Sequence, residues 1–218
     1  MAVAIAVTVL VGFAPTFYLR ARTPSLAALP LFLQIHGVAF TGWILLFAVQ
    51  EGLVAAGRID RHRQLGWAGA ALAAAMVVSG TSSGVLSMRR EFAAGYEQEA
   101  AAFLLTPFSA MLVFAALVAA AIVWRRRPET HKRLMLLATI SLLDAAIARW
   151  PVSFSADWIL LAATDLFIVA AMAFDLATRR RVAAAYLWGG TLVVAGQALR
   201  VLGGPTDTWR AVARQFLQ

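Results

Sequence analysis

Of 218 residues, 61% are hydrophobic and 14% charged, whereas soluble domains carry about 25% charged residues; the balance argues against a soluble fold. There is no cysteine, which excludes disulfides, thiolate metal sites and cysteine nucleophiles. The net charge of +8 does not point to nucleic acid, because the arginines cluster at the ends of apolar runs, where a membrane explains them.

Apolar runs of about 20 residues recur along the chain, each long enough to cross a hydrocarbon core about 30 Å thick. The length suits one helical domain over residues 1–218. Helix one is expected over 2–19. It lacks the basic segment that precedes a secretory h-region, so it reads as a retained helix. A proline-bearing linker, ARTPSLAALP, leads to helix two at 29–57, which carries His36, Trp43, Gln50 and Glu51. The turn RIDRHR precedes helix three at 65–88, whose second half is small and polar from Ser79 to Gly84. The segment RREFAAGYEQEAAA is the longest polar stretch, and Phe92, Tyr96 and Phe103 have the spacing of an interfacial helix. Helix four, 102–124, has Pro107 near its start, where proline is tolerated. Helix five, 132–152, follows the basic turn at 125–133. The turn VSFSAD leads to helix six at 157–178, and RRRVAAA to helix seven at 185–203. The tail 205–218 is amphipathic, with Trp209, Val212 and Phe216 suited to a membrane surface.

The expected fold is therefore an all-α bundle of seven transmembrane helices. The turns 58–63, 125–133 and 179–181 hold eleven basic residues against six on the other side, so this end is expected in the cytoplasm, with the N-terminus. A faint repeat links His62-Arg63-Gln64-Leu65 to His131-Lys132-Arg133-Leu134, 69 residues apart, as duplicated hairpins would.

His36-Gly37, HRQLGW at 62–67, HKRLMLLATI at 131–140 and the following AIARWP together resemble a family of bacterial multi-pass membrane proteins described only as a domain of unknown function. The resemblance covers roughly residues 30–200. It implies a helical protein of the bacterial inner membrane and carries no activity with it.

Ionisable residues inside a bilayer are costly, and each is a functional hypothesis by default. Rise along each helix places His36, Asp144, Arg149, Asp165, Gln197 and Arg200 at similar depth in the outer half. If their faces converge they form one polar pocket. The competing reading pairs Asp165 with Arg149, or Asp144 with Arg200, as structural ion pairs, or lets the arginines snorkel to headgroups. At the cytoplasmic turns, His62, Arg63, His131, Lys132 and Arg133 suit lipid headgroups or a weak site. Two histidines without cysteine make a poor zinc site, although Asp60 and Glu129 could join them, so no metal is assigned.

A b-type haem is the sharper alternative. Bis-histidine ligation needs two histidines at one depth, and His36 and His62 are about 39 Å apart along a helix. Only His62 and His131 share a level, and both lie at the membrane boundary and not in the core, which leaves a single haem on His36, with Arg149 or Arg200 on its propionates, as the form a haem would take. A retinal Schiff base is ruled out because the sole lysine, Lys132, is not in the last helix. No Walker, HExxH or GxSxG pattern occurs, which favours a non-enzymatic protein. Three functions stand: binding or conduction of a small ligand, ion or proton at the polar cluster; a redox protein holding one haem or a quinone near His36; and a structural or assembly subunit. The last would bury alanine- and glycine-rich faces such as GAALAAA at 69–75 against a membrane-protein partner or a second copy.

Overall fold

The computed structural model describes residues 1–22, 28–152, 154 and 156–217. Residues 23–27 of the proline-bearing linker, Ser153 and Ser155 of the turn VSFSAD, and Gln218 of the tail lie outside the described residues. Among the described residues every regular element is helical: α1 Ala2–Phe13, α2 Leu31–Ala55, α3 Ile59–Ala93, α4 Glu97–Phe103, α5 Leu105–Val123, α6 Pro128–Ile140, α7 Asp144–Ile147, α8 Asp157–Arg179, α9 Ala184–Gly203 and α10 Asp207–Arg214.

Among the described residues four helical stretches are long and apolar enough to cross a membrane: Leu31–Ala55, Ile59–Ala93, Glu97–Val123 and Asp157–Arg179. A shorter apolar stretch covers Ala2–Tyr18. The outward faces are apolar as well. Leu112 on α5 and Phe174 on α8 are each 67% exposed, and Leu31, Trp67 and Leu202 more so. Water does not tolerate so continuous an apolar surface; a bilayer does.

Local chemistry explains where the helices depart from expectation. Pro15 has no N–H to continue α1, so Ala14–Tyr18 widens to π geometry, with Leu19 N donating to Ala14 O at 2.7 Å. The expected helix five, 132–152, is broken. α6 ends at Ile140, residues 141–143 form turns, and α7 restarts at Asp144. Thr139 and Ser141 both bond back to carbonyls of the preceding turn, at 2.9 and 2.8 Å, which bends helices. α3 is longer than the expected 65–88 at both ends. Its polar run stays helical because Thr81 and Ser83 also donate to carbonyls of the preceding turn. Two of its glycines are contact points for α5: a Cβ on Gly80 would overlap Met111, and one on Gly84 would overlap Pro107. Gly57 (φ +71°) and Gly95 (φ +93°) turn the chain between α2 and α3 and between α3 and α4.

The helix α5 is central, packing on α3, α4, α6 and α9. Phe114, Leu117, Leu134, Leu137, Ile140, Leu143 and Ile147 are fully buried there. Trp43 of α2 reaches this core, donating its Nε1–H to Thr139 Oγ1 at 3.2 Å and meeting Phe114 edge-on at 5.0 Å. α1 packs on α7, where Gly12 lies directly on the Ala146 backbone and Trp150 Nε1 donates to Thr8 O at 3.2 Å. The amphipathic tail is partly turned inward. Trp209 Nε1 donates to Ala101 O at 2.9 Å, Phe108 packs on Trp209 and Phe216, and Arg89 Nε donates to Phe216 O at 3.0 Å. Val212 remains exposed.

Candidate functional site

Four of the six residues expected in the outer polar pocket converge. The break after α6 sets Asp144 at the start of α7, facing α8 and α9. Its carboxylate pairs with Arg200 of α9 and accepts from Thr164 Oγ1 of α8. One turn from Arg200, Gln197 Nε2 donates to Asp165 Oδ1 at 3.0 Å. The Arg200 and Asp144 side chains are only 8% and 13% exposed, so the pair is largely desolvated and strongly coupled. Asp165 is half-buried, and among the described residues its side chain is held by a neutral amide.

Beside this pair lies a cavity of about 10 Å³, lined by Ser109, Ser141, Asp144, Gln197 and Arg200 among others. That is the lower limit for a single ordered water, and the lining offers enough polar partners to hold one. Ser109, Ser141 and Thr164 were not expected at this site. Isolated hydroxyls in apolar helices carry no signal until the facing helix is known.

Arg149 and His36 stand apart from this group. Arg149 donates to Ala145 O one turn back and lays its guanidinium over the Phe13 ring of α1 at 4.8 Å, so it packs against α1 and not against the Asp144 cluster. His36 is half-buried, stacked on Phe40 at 4.3 Å beside the main chain of Ser79, with Nδ1 buried and unpartnered. The physical reason is topological. α2 packs on α1 and α3, whereas α9 packs on α5, α6 and α8.

At the opposite end the basic residues divide into two groups. Arg133 is 2% exposed and forms a bidentate bridge to Asp175 of α8, at 2.5 and 2.7 Å. It also donates to Glu129 at 2.7 Å and lies over the Tyr186 ring at 5.5 Å. Asp175 in turn accepts from Ala183 N at 3.3 Å, which ties down the α8–α9 turn. Lys132 and Arg179 close on Glu129 at 3.0 and 2.5 Å, and these three cations hold the Glu129 carboxyl down to about 2, Arg133 contributing most. Arg133 is thus an interior strut, not a headgroup contact. Asp175 is its unforeseen partner; its place one turn before the basic turn 179–181 was the available signal.

His62 and His131 come together, with ring centroids 6.1 Å apart and planes at 80°. Each is the fourth residue of its helix, α3 and α6. Arg63 beside them is exposed. Glu129, once a conceivable companion of the histidines, is committed to its three cations. Among the described residues no group of three or more His, Asp or Glu is placed to hold a metal ion.

No family model, curated protein or solved structure matches the chain.

Proposed function

We propose that this chain is a seven-span protein of the bacterial inner membrane, with its N-terminus in the cytoplasm, whose Asp144–Asp165 cluster accepts a proton within the membrane. Several observations support the topology. Beside the four long apolar helices, the shorter apolar stretch Ala2–Tyr18, the broken pair α6–α7 and the 20-residue α9 would complete seven. The N-terminal ammonium is near enough to Glu51 to act on it electrostatically, and Glu51 lies in the last turns of α2, beside the basic turn 58–63. The resemblance of the histidine and arginine segments to the bacterial multi-pass family points the same way.

One observation carries the site assignment: two carboxylates share a low-dielectric cluster that holds a single cation. Arg200 neutralises Asp144, while among the described residues Asp165 is bonded by the Gln197 amide and by no cation. A carboxyl without a cation in such a setting is most stable protonated. The water-sized cavity is lined by Asp144, Gln197 and Arg200, and Gln197 is also the amide that holds Asp165, so a water there is one side chain removed from that carboxyl. The cavity is too small for an organic ligand, which narrows the ligand class to a proton or water.

Infrared difference spectroscopy on the protein in lipid vesicles tests this. A protonated-carboxyl C=O band should titrate in the wild type and vanish in Asp165→Asn, while Asp144→Asn leaves a band in place. If no such band is lost in Asp165→Asn, Asp165 is ionised and the reading fails.

A further inference from the structure

We propose that the groove between α2 and α3, at the arginine-bearing end of the bundle, binds one anionic phospholipid, with its phosphodiester on Arg61 and a fatty chain along Leu53, Leu65 and Ala68. The groove has a volume of about 430 Å³ and is lined by Leu53, Arg61, Gln64, Leu65 and Ala68, which is the size class of small-molecule sites. Arg61, Gln64, Leu65 and Ala68 follow one another at helical spacing and form a single stripe on α3. Along that stripe Leu65 is about 6 Å and Ala68 about 10 Å farther than Arg61 from the start of the helix. The polar side chains are thus nearest the turn 58–63 and the apolar ones deeper, the order of groups in a phospholipid. The site needs only that α2 and α3 cross a membrane, and owes nothing to the Asp144–Asp165 cluster.

The α2–α3 turn builds this groove in advance. Gly57 reverses the chain at φ +71°, and Arg58 N donates to Leu53 O at 2.8 Å, which fixes Leu53 against the turn. Gln50 Nε2 donates to His62 O at 3.2 Å and holds the first turn of α3 against α2. Gln64 and Ala68 are exposed and Leu53 and Leu65 half-buried, so the groove opens to the outside of the bundle. Trp67, 71% exposed, stands beside the stripe. Tryptophan gathers where headgroups meet hydrocarbon, which puts Arg61 among the headgroups and Ala68 at the edge of the hydrocarbon.

Charge selects the occupant. At this end of the bundle Glu129 and Asp175 are taken by Lys132, Arg133 and Arg179. Arg61 is exposed and makes no ion pair among the described residues. Its planar guanidinium offers two parallel donors to one phosphodiester, and the Gln64 amide, one turn on, adds another. Arg58 and Arg63 flank it in the turn 58–63 against one acid, Asp60, so the turn is net positive. That field draws a lipid with a negative head and opposes the ammonium of a zwitterionic one. Free phosphate would engage Arg61 and leave the wall of Leu53, Leu65 and Ala68 bare. An apolar helix would cover the wall and bury the guanidinium without an anion, which is costly. An anionic lipid satisfies both ends of the groove.

Native mass spectrometry of the full-length protein in detergent, titrated with dioleoyl phosphatidylglycerol or dioleoyl phosphatidylcholine, tests this. One phosphatidylglycerol should be held per chain, at least ~10-fold more tightly than phosphatidylcholine. Arg61→Gln should lose that preference. Ala68→Trp, which fills the groove from an exposed position, should weaken binding with Arg61 intact. Arg126→Gln, an equal loss of charge at the same end, should change affinity less than ~2-fold. Each variant is checked for helicity and monodispersity. The proposal is overturned if the wild type holds phosphatidylglycerol no better than phosphatidylcholine, a result independent of how the variants fold. It is equally overturned if a folded Arg61→Gln loses no more than Arg126→Gln, or if a folded Ala68→Trp binds as the wild type does. Glycerophosphoglycerol, the same head without chains, should not displace the lipid at matching concentration; displacement would mean a simple anion site and sink the lipid assignment.

Discussion

Glu129 receives three cations at a half-exposed position, and its titration follows from that contact set. Its carboxyl lies at about 2 in the folded protein against 4.5 ordinarily. A depressed acid adds stability that is complete above its unfolded value and is lost as pH falls through the folded one. The melting temperature of the wild type should therefore drop between pH 4.5 and 2. Other carboxylates contribute to that drop, so the comparison with Glu129→Gln isolates this one. The variant's melting temperature should be lower near neutrality and converge on the wild type near pH 2. Because the Glu129 side chain is 52% exposed, solvent screens the interaction, and the gap should narrow further in high salt. Parallel curves at all pH values would show that Glu129 contributes nothing beyond its neutral analogue. Arg133 and Asp175 form the buried half of the same network, and there the loss of one partner leaves a charge that water cannot reach.

Helix contacts in this bundle run through glycines, and the glycines differ in what they meet. Gly12 faces the main chain of Ala146, which cannot move without displacing α7, whereas Gly80 faces the flexible side chain of Met111. Gly12→Ala should cost about 1–3 kcal/mol through overpacking, and Gly80→Ala distinctly less, because a methionine can change rotamer. Thermal unfolding in detergent of the two variants checks the order; equal losses would mean that the α1–α7 contact yields as readily as a side chain. The same scale accounts for what could be read from the sequence. α8 and α9 begin and end within about a residue of expectation, because apolar runs with arginines or turn residues at each end mark them plainly. The break between α6 and α7 could not be read, since the run from Leu134 to Ile147 is interrupted only by Thr139, Ser141 and Asp144. There the hydroxyls bend the chain and the buried partner of Asp144 fixes the new direction. Depth along a helix was legible and azimuth was not. Asp144, Asp165, Gln197 and Arg200 therefore converge, while His36 at similar depth faces Ser79.

At the scale of the whole molecule, the two ends of the bundle differ in character. One gathers the arginine turns, the Glu129 network and the histidine pair; the other holds α4, α10 and the tail contacts of Arg89. The proposed orientation predicts the outcome of single-cysteine labelling, which needs no background removal because the chain has no cysteine. An impermeant maleimide on intact cells should modify Glu97→Cys and spare Arg126→Cys until the membrane is opened. The reverse pattern would invert the topology.

The length of α3 has a consequence for the host bilayer. Its 35 residues extend about 52 Å, against a hydrocarbon layer near 30 Å. Standing upright, it would carry several turns clear of the lipid; leaning over, it would shorten its projection and take α2 and α5, packed along it, into the same tilt. Acyl-chain length then becomes a mechanical variable. Thicker membranes would draw the helix upright and thinner ones would lay it down, so lipid thickness alone could rotate the arginine-bearing turns relative to the headgroup plane.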